Sequence, residues 1–286
     1  MISKLSLSEI EFPNHFLEYS ENECPLFWKY QLAGLKKLPE KVEIIRNEIN
    51  KSGCVIISSL NLVKFKINLK KRIFLGLCSQ VGTAVEHNYG KKDYIWDIKP
   101  RKYIGSFPTF SEHNLEAPLH TDSQYLIKPE KYVALFVIKK ASCGGGETIV
   151  LRYEDILNTL PKSIQGKECL KILKNSLFPF ATPSIFCEHE SHVILAPVIS
   201  NEGSIRYRFD TIEQGLRCSG FSDKEKVARI WALNFFRKHI DNHPCILKLS
   251  LNDGEVLFLN NQKLLHGRTG FTDSNRHILR IRMNSL

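Results

Sequence analysis

The apolar positions of this chain change period several times, and each change marks an element. Residues 24 to 53, from "CPLFWKY" to "LPEKVEIIRNEINKSG", mix polar and apolar positions at helical spacing. A helix is predicted there, stopped by Gly53. "CVIISSL" (54–60) is β-branched and reads as a strand. "VKFKINLKKRIFLGLCSQVGTAV" (63–85) returns mostly to helix. From Asn88 to Pro118 the chain is aromatic and punctuated by Pro and Gly, with no lasting period. It is read mostly as loop, and long loops beside a site often act as lids.

Strands dominate from His120 onward. "KYVALFVIKKA" (131–141) is a strand, and "GGGETIVLRYEDILNTL" (144–160) runs from a glycine turn through a strand into a short helix. "DKEKVARIWALNFFRKHID" (223–241) is an amphipathic helix. In "CILKLSLNDGEVLFLNN" (245–261), Asp253-Gly254 lies between two apolar runs, which predicts a hairpin. "RHILRIRM" (276–283) alternates, with Leu279, Ile281 and Met283 on one face and Arg280 and Arg282 on the other. The pattern predicts a mainly β protein, its core largely antiparallel, with α-helices packed outside.

The bulk numbers narrow the class. The chain has 286 residues, 43% hydrophobic and 24% charged, an ordinary globular composition. No run of eighteen apolar residues occurs, so no membrane span is expected. The first residues lack the long apolar core of a secretory signal, and a cytoplasmic protein is expected. Eight scattered cysteines without a C-x-x-C read as free thiols. The net charge of +10 favours acidic small molecules or, less directly, nucleic acid. No finger, RNP motif or phosphate loop supports the latter, and no nucleic-acid partner is expected.

The candidate chemistry begins at "APLHTDSQY" (117–125). In a strand, residues i and i+2 share a face, so His120 and Asp122 aim into one space. Alone, such a pair is as readily a surface hydrogen bond. His266, in "NQKLLHGRTGF" (261–271), completes two histidines and one carboxylate. Three such ligands leave open positions on an octahedral ion, and they suit Fe(II) and Zn(II) alike. Arg276 and Arg280 share a strand face opposite the apolar one, where each guanidinium can grip a carboxylate as a fork, or simply face solvent. Thr148, in "GGGETIV", can hydrogen-bond a bound acid. Gln124 and Tyr125 follow the ligands closely and are placed near a substrate. Arg208, in "SIRYRFD", is placed against an anionic substrate group, together with Arg206 if that segment is a strand. Tyr94, Trp96, Tyr103, Phe107 and Phe110 furnish the proposed lid.

In this order and spacing, "PLHTDSQY", "ASCGGGETIVLRYEDIL", "DGEVLFLNNQKLLHGRTGF" and "RHILRIRM" resemble the TauD/TfdA-like family of Fe(II)- and 2-oxoglutarate-dependent dioxygenases. The likeness runs over about residues 100 to 283. It implies a double-stranded β-helix, the cupin-like jelly roll, with flanking helices. It implies that His120, Asp122 and His266 bind Fe(II). Arg280, helped by Thr148, would hold the distal carboxylate of 2-oxoglutarate, with Arg276 as a second arginine beside it. The domain layout becomes 1–286 as one unit: N-terminal elements over 1–90, a lid over 91–118, and a jelly-roll core over 119–286 with a helical insertion at about 150–242. The implied reaction uses O2 and 2-oxoglutarate, releases succinate and CO2, and hydroxylates an unactivated C–H bond of a small acidic or amino-acid-like metabolite, free or carrier-bound. Related halogenases lack the carboxylate ligand that Asp122 supplies here. Desaturation, epoxidation and cyclisation share the same cofactors. A zinc hydrolase on the same three ligands is the competing class, and it has no use for Arg280. Neither a membrane role nor an oligomeric state follows from the sequence.

Overall fold

The structure, a computed structural model, describes residues 2–62, 64–86, 93–101, 109–183 and 192–286. Strands β1 (Ser3–Ser6) and β2 (Cys54–Ser58) bracket helices α1 (Pro25–Ala33) and α2 (Leu38–Ser52). Helix α3 (Ile67–Val81) follows, then β3 (Thr83–Ala84), β4 (Trp96–Ile98), β5 (Ala117–His120), β6 (Tyr132–Lys139) and β7 (Thr148–Arg152). Helices α4 (Tyr153–Thr159) and α5 (Ile164–Asn175) lead to β8 (Phe178–Ala181) and β9 (Val193–Ala196). Helices α6 (Phe209–Cys218) and α7 (Asp223–Asp241) precede β10 (Leu247–Leu249), β11 (Val256–Asn260), β12 (Leu264–Arg268) and β13 (His277–Asn284).

The stretch from 24 to 53 is two helices, not one. The chain turns at Gly34–Lys37, and Lys37 takes a left-handed conformation (φ 68°). Helix α2 then buries Leu38, Val42, Ile45 and Ile49, one stripe at helical spacing. Gly53 ends it as predicted: its φ of 83° lets its N–H reach back to the Ile49 carbonyl, which favours glycine. Helix α7 spans the predicted residues and starts at a capping box between Ser222 and Glu225.

The strands form a seven-stranded sheet, ordered β1-β2-β11-β6-β13-β3 with β4 also on β13, a four-stranded sheet, ordered β10-β7-β12-β5, and a separate β8-β9 pair. Side-chain alternation shows how the layers stack. Along β6, Val133, Leu135 and Val137 pack with Val150 and Leu264 of the smaller sheet, so the two sheets face each other. The intervening Tyr132, Ala134 and Phe136 pack instead against α1, α2 and α3. On the other side, Ile149, Leu151 and Leu265 back onto α4, α5, α6 and α7. The result is a helix-covered β sandwich, the jelly roll expected. The larger sheet also takes β1 and β2 from the N-terminal part, beside β11.

The predicted hairpin at Asp253-Gly254 does not form. A tight turn is present, with Gly254 at φ 86°. Its flanking strands enter different sheets: β10 pairs with β7, and β11 pairs with β6 and β2. In a sandwich both strands bury the same kind of apolar face, here Leu249 and Leu251 against Leu257 and Leu259. Periodicity therefore cannot tell pairing within a sheet from packing between sheets. The predicted loop likewise contains a strand, β4, which adds to β13 and carries Trp96. Of the lid aromatics, Tyr103 and Phe107 lie outside the described residues. Among the described residues, no helix is long and apolar enough to cross a membrane.

Candidate metal centre and its two pockets

His120 is the last residue of β5 and pairs in register with His266, in the middle of β12. Facing positions on neighbouring strands point the same way, so both imidazoles enter the space between the sheets. Their ring centroids are 4.5 Å apart. Asp122 joins them differently from expectation, because the strand stops at His120 and Asp122 stands in the turn beyond it. Even so, Asp122 Oδ1 lies 3.6 Å from His120 Nε2 and 3.8 Å from His266 Nε2. One ligand atom from each residue falls within 4.8 Å of the others, and all three residues are buried. His120 Nδ1 is 2.8 Å from the Pro118 carbonyl. A carbonyl only accepts, so Nδ1 carries the proton and Nε2 offers its lone pair to the centre.

The electrostatics favour ligation. Burial opposes a charge on Asp122. Arg280, then the two imidazoles, outweigh it and hold the carboxyl well below the usual carboxylate range. Burial, then the neighbouring His266, lowers the proton affinity of His120, which keeps its imidazole neutral. The group thus offers two imidazoles and one carboxylate, the donor set of a facial triad.

Two pockets open on this centre, and both are walled by Phe110, Ser111, His120, Asp122 and Arg280. The first adds His266, Thr148, Arg268 and Arg276. The second adds Gln124, Tyr125, Arg208, Arg282 and Trp96. Of the predicted residues, Thr148, Arg276 and Arg280 on one side and Gln124, Tyr125 and Arg208 on the other are thus brought to the triad, whereas Arg206 and Tyr94 line neither pocket. Arg280 stands between the sides and gives its Nη1 to Asp122 Oδ2 at 3.0 Å. Arg276 is buried, and its Nη1 has no partner among the described residues, as is also true of Arg280 Nε. Both arginines precede or belong to β13 and face inward despite a bulge at His277/Ile278. The glycines before Thr148 make room for this. A Cβ on Gly146 would come within 2.9 Å of Arg276 Nε, and one on Gly145 within 2.3 Å of the Gly270 carbonyl.

The segment holding Arg206 and Arg208 is irregular and leads into α6, not a strand with both arginines on one face. Arg206 is a structural tie, donating to the carbonyls of Gln124, Leu126 and Ile127. Arg208 faces the second pocket, held by Asp210 at 2.7 Å and lying 4.1 Å over the Phe110 ring. Gln124 is fixed by Thr211, 3.2 Å from its Nε2.

Sequence pattern did not reveal three further residues. Arg268 is buried and donates to the carbonyls of Phe110, His113 and Leu115, which sets the wall shared by both pockets. Arg282 pairs with Glu130 and also bonds Ser123, so it is not a solvated strand residue. Asn261 bonds the backbone of Asp122. That the β13 arginines share one face was legible in the strand's alternation, but not that this face is turned inward. The partners of those arginines, more than a hundred residues away, were not.

A jelly roll with two histidines and one carboxylate between its sheets has the architecture of a non-haem iron oxygenase. The sequence profile of the taurine catabolism dioxygenase TauD, TfdA family matches residues 30–282, and the chain belongs to that family. A glutarate 2-hydroxylase from Citrobacter koseri is 24% identical over 215 residues, 71% of this chain and 61% of that protein's length. Among solved structures, an asparagine oxygenase with Fe(II), 3-hydroxyasparagine and succinate superposes with a TM-score of 0.71 at 14% identity, covering 99% of this chain and 93% of that one. The non-haem iron oxygenase OrfP with Fe and α-ketoglutaric acid gives 0.66 at 13% identity, covering 100% and 94%. At such identities the structural likeness establishes the fold.

Proposed function

We propose that this protein is an Fe(II)- and 2-oxoglutarate-dependent dioxygenase that hydroxylates a small acidic or amino-acid-like metabolite. The observation that carries the reading is one cavity. It holds a buried His-Asp-His triad together with three guanidiniums, those of the buried Arg268 and Arg276 and the half-buried Arg280, each with one nitrogen unpartnered among the described residues. A buried guanidinium without its anion is costly, so such a cavity is built for an acid. His120, Asp122 and His266 would hold the metal. Bound iron with 2-oxoglutarate and O2 supplies oxidation of an unactivated C–H bond, releasing succinate and CO2.

The chain's own residues divide the remaining work. Arg276, with its free Nη1 and Thr148 on the same wall, takes the distal carboxylate of 2-oxoglutarate. Arg280, already committed to Asp122, orients that ligand and adds positive charge where the two pockets meet. This exchanges the roles that resemblance suggested for the two arginines. Gln124, Tyr125 and Arg208 line the other side and hold the substrate, Arg208 meeting an anionic group. Phe110 and Arg268 shape the wall between them. The relatives support this class of substrate by their names: a glutarate hydroxylase and oxygenases holding hydroxylated asparagine or arginine. Seven described cysteines are free, which suits the reducing cytoplasm.

The test is anaerobic reconstitution with Fe(II), addition of 2-oxoglutarate, and detection of the visible charge-transfer band of the chelate. A screen of amino acids and small dicarboxylates for succinate release follows. A product heavier by one oxygen atom marks hydroxylation, and one lighter by two hydrogens marks desaturation. Bound iron with no band and no succinate from any acid sinks the reading and favours a zinc hydrolase.

A further inference from the structure

We propose that Asn261 is a positioning residue that fixes the Asp122 carboxylate opposite the two histidines. The inference rests on the reading of His120, Asp122 and His266 as a metal centre. The histidines are set by the sheet itself, since they face each other across the β5–β12 ladder. Asp122 has no such support, because it lies past the end of β5 and is followed by Ser123 at φ 55°. Something other than strand pairing must hold it at 3.6 and 3.8 Å from the imidazole nitrogens.

The carboxamide of Asn261 does so. Asp122 N donates to Asn261 Oδ1 at 2.7 Å, and Asn261 Nδ2 donates to the carbonyls of Asp122 at 3.0 Å and Glu130 at 2.9 Å. The Asn261 backbone N–H adds a fourth bond, to the Lys131 carbonyl at 2.8 Å. The residue is 1% exposed, so water does not compete for these groups. The job needs one acceptor and two donors on a single short side chain, which a carboxamide has and a carboxylate or hydroxyl lacks. Asn261 stands five positions before His266 and feeds directly into β12. It therefore couples the turn of one ligand to the strand of another, and that strand is already paired with the third. The backbone of all three ligand positions then rests on one ladder and the Asn261 carboxamide, while Arg280 adds its own bond to the Asp122 carboxylate.

The test is titration of the metal-free full chain with Co(II), followed by visible absorbance, beside thermal unfolding without metal. Asn261→Ala is compared with the wild type, with Leu173→Ala, a buried helix substitution that lines neither pocket, and with His266→Ala. The expected result is that Asn261→Ala binds Co(II) about 10–100-fold more weakly, the usual cost of losing a residue that orients a metal ligand. Leu173→Ala should bind as the wild type does, even where it loses as much thermal stability. If Asn261→Ala does not fold, Asn261→Ser, which keeps one acceptor, is held to the same comparison. Wild-type affinity in the Asn261 variant overturns the proposal and leaves the metal reading intact. An equal loss in Leu173→Ala also overturns it, because the effect is then general destabilisation. A wild type that takes up no Co(II), or a His266→Ala variant that binds as tightly as the wild type, removes the metal reading and this proposal with it.

Discussion

Arg280 and Asp122 meet through a single carboxylate oxygen: Nη1 lies 3.0 Å from Oδ2, while both imidazoles face Oδ1. One oxygen is thereby engaged by the protein, and the other is left facing the space between the imidazoles. The same contact holds the Asp122 carboxyl below the usual range against the opposing effect of burial.

Removing that contact should weaken the ligand and make it easier to protonate. Arg280→Ala is expected to lower divalent-metal affinity at pH 7 by about 10–100-fold. The sign of the pH effect follows. With Arg280 the carboxylate survives acidification, so without it metal is released at a higher pH. Co(II) titrations from pH 5 to 7.5 check this. Identical pH profiles for both proteins would show that Arg280 does not tune Asp122.

The two sides of the centre should separate kinetically. Arg276→Ala is expected to raise KM for 2-oxoglutarate by about 30-fold or more, since breaking a buried charged hydrogen bond costs about 2 kcal/mol at least. Arg208→Ala should raise KM for the primary substrate and leave that for 2-oxoglutarate near the wild-type value. Steady-state succinate release with each component varied gives both numbers. The reverse split would exchange the assignment of the pockets.

Neighbouring glycines offer a control on crowding. Gly144 and Gly146 both have positive φ, 80° and 75°, but a Cβ on Gly144 meets nothing within 4 Å while one on Gly146 meets Arg276. Each Gly→Ala change should cost about 1–2 kcal/mol from the left-handed backbone. Only Gly146→Ala should also raise KM for 2-oxoglutarate. Thermal melts and kinetics of the two variants decide the matter.

Cys143, in the same glycine turn, is exposed, and its thiol is pushed down to about 6 by hydrogen bonds from the Thr272 and Gly145 backbones, the Thr272 side chain and the Asp273 backbone. A depressed value means thiolate is present above that pH. At pH 7 Cys143 should be alkylated first by iodoacetamide, with a rate that rises through pH 6, whereas ordinary thiols titrate near ~8.5. Peptide mass mapping against Cys143→Ser reads this directly. A rate that rises only above pH 8 would contradict the hydrogen-bond pattern.

Much of the fold was legible because local pattern carries it. Gly53 stops α2, Ser222 starts α7, and the alternation of β6 and β13 reports faces that are buried on both sides. The hairpin at Asp253-Gly254 failed for a reason equally physical. A turn signal says that the chain reverses, but not whether the next strand joins the same sheet or the facing one. The break at Gly34–Lys37 was hidden because apolar spacing continues across it.

The sequence by itself determined the chemistry available: two histidines, one carboxylate and two arginines on one strand face, in an order that resembles one family. Tertiary structure alone decided how they meet. It paired His120 with His266 across a ladder, brought Asp122 to them from beyond a strand end, and gave Arg280 to Asp122 while leaving Arg276 Nη1 without a partner among the described residues. Side-chain period is a local property and survives in one dimension. Which of two arginines reaches a carboxylate 158 residues away depends on strand register and burial, and those exist only once the two sheets have closed on each other.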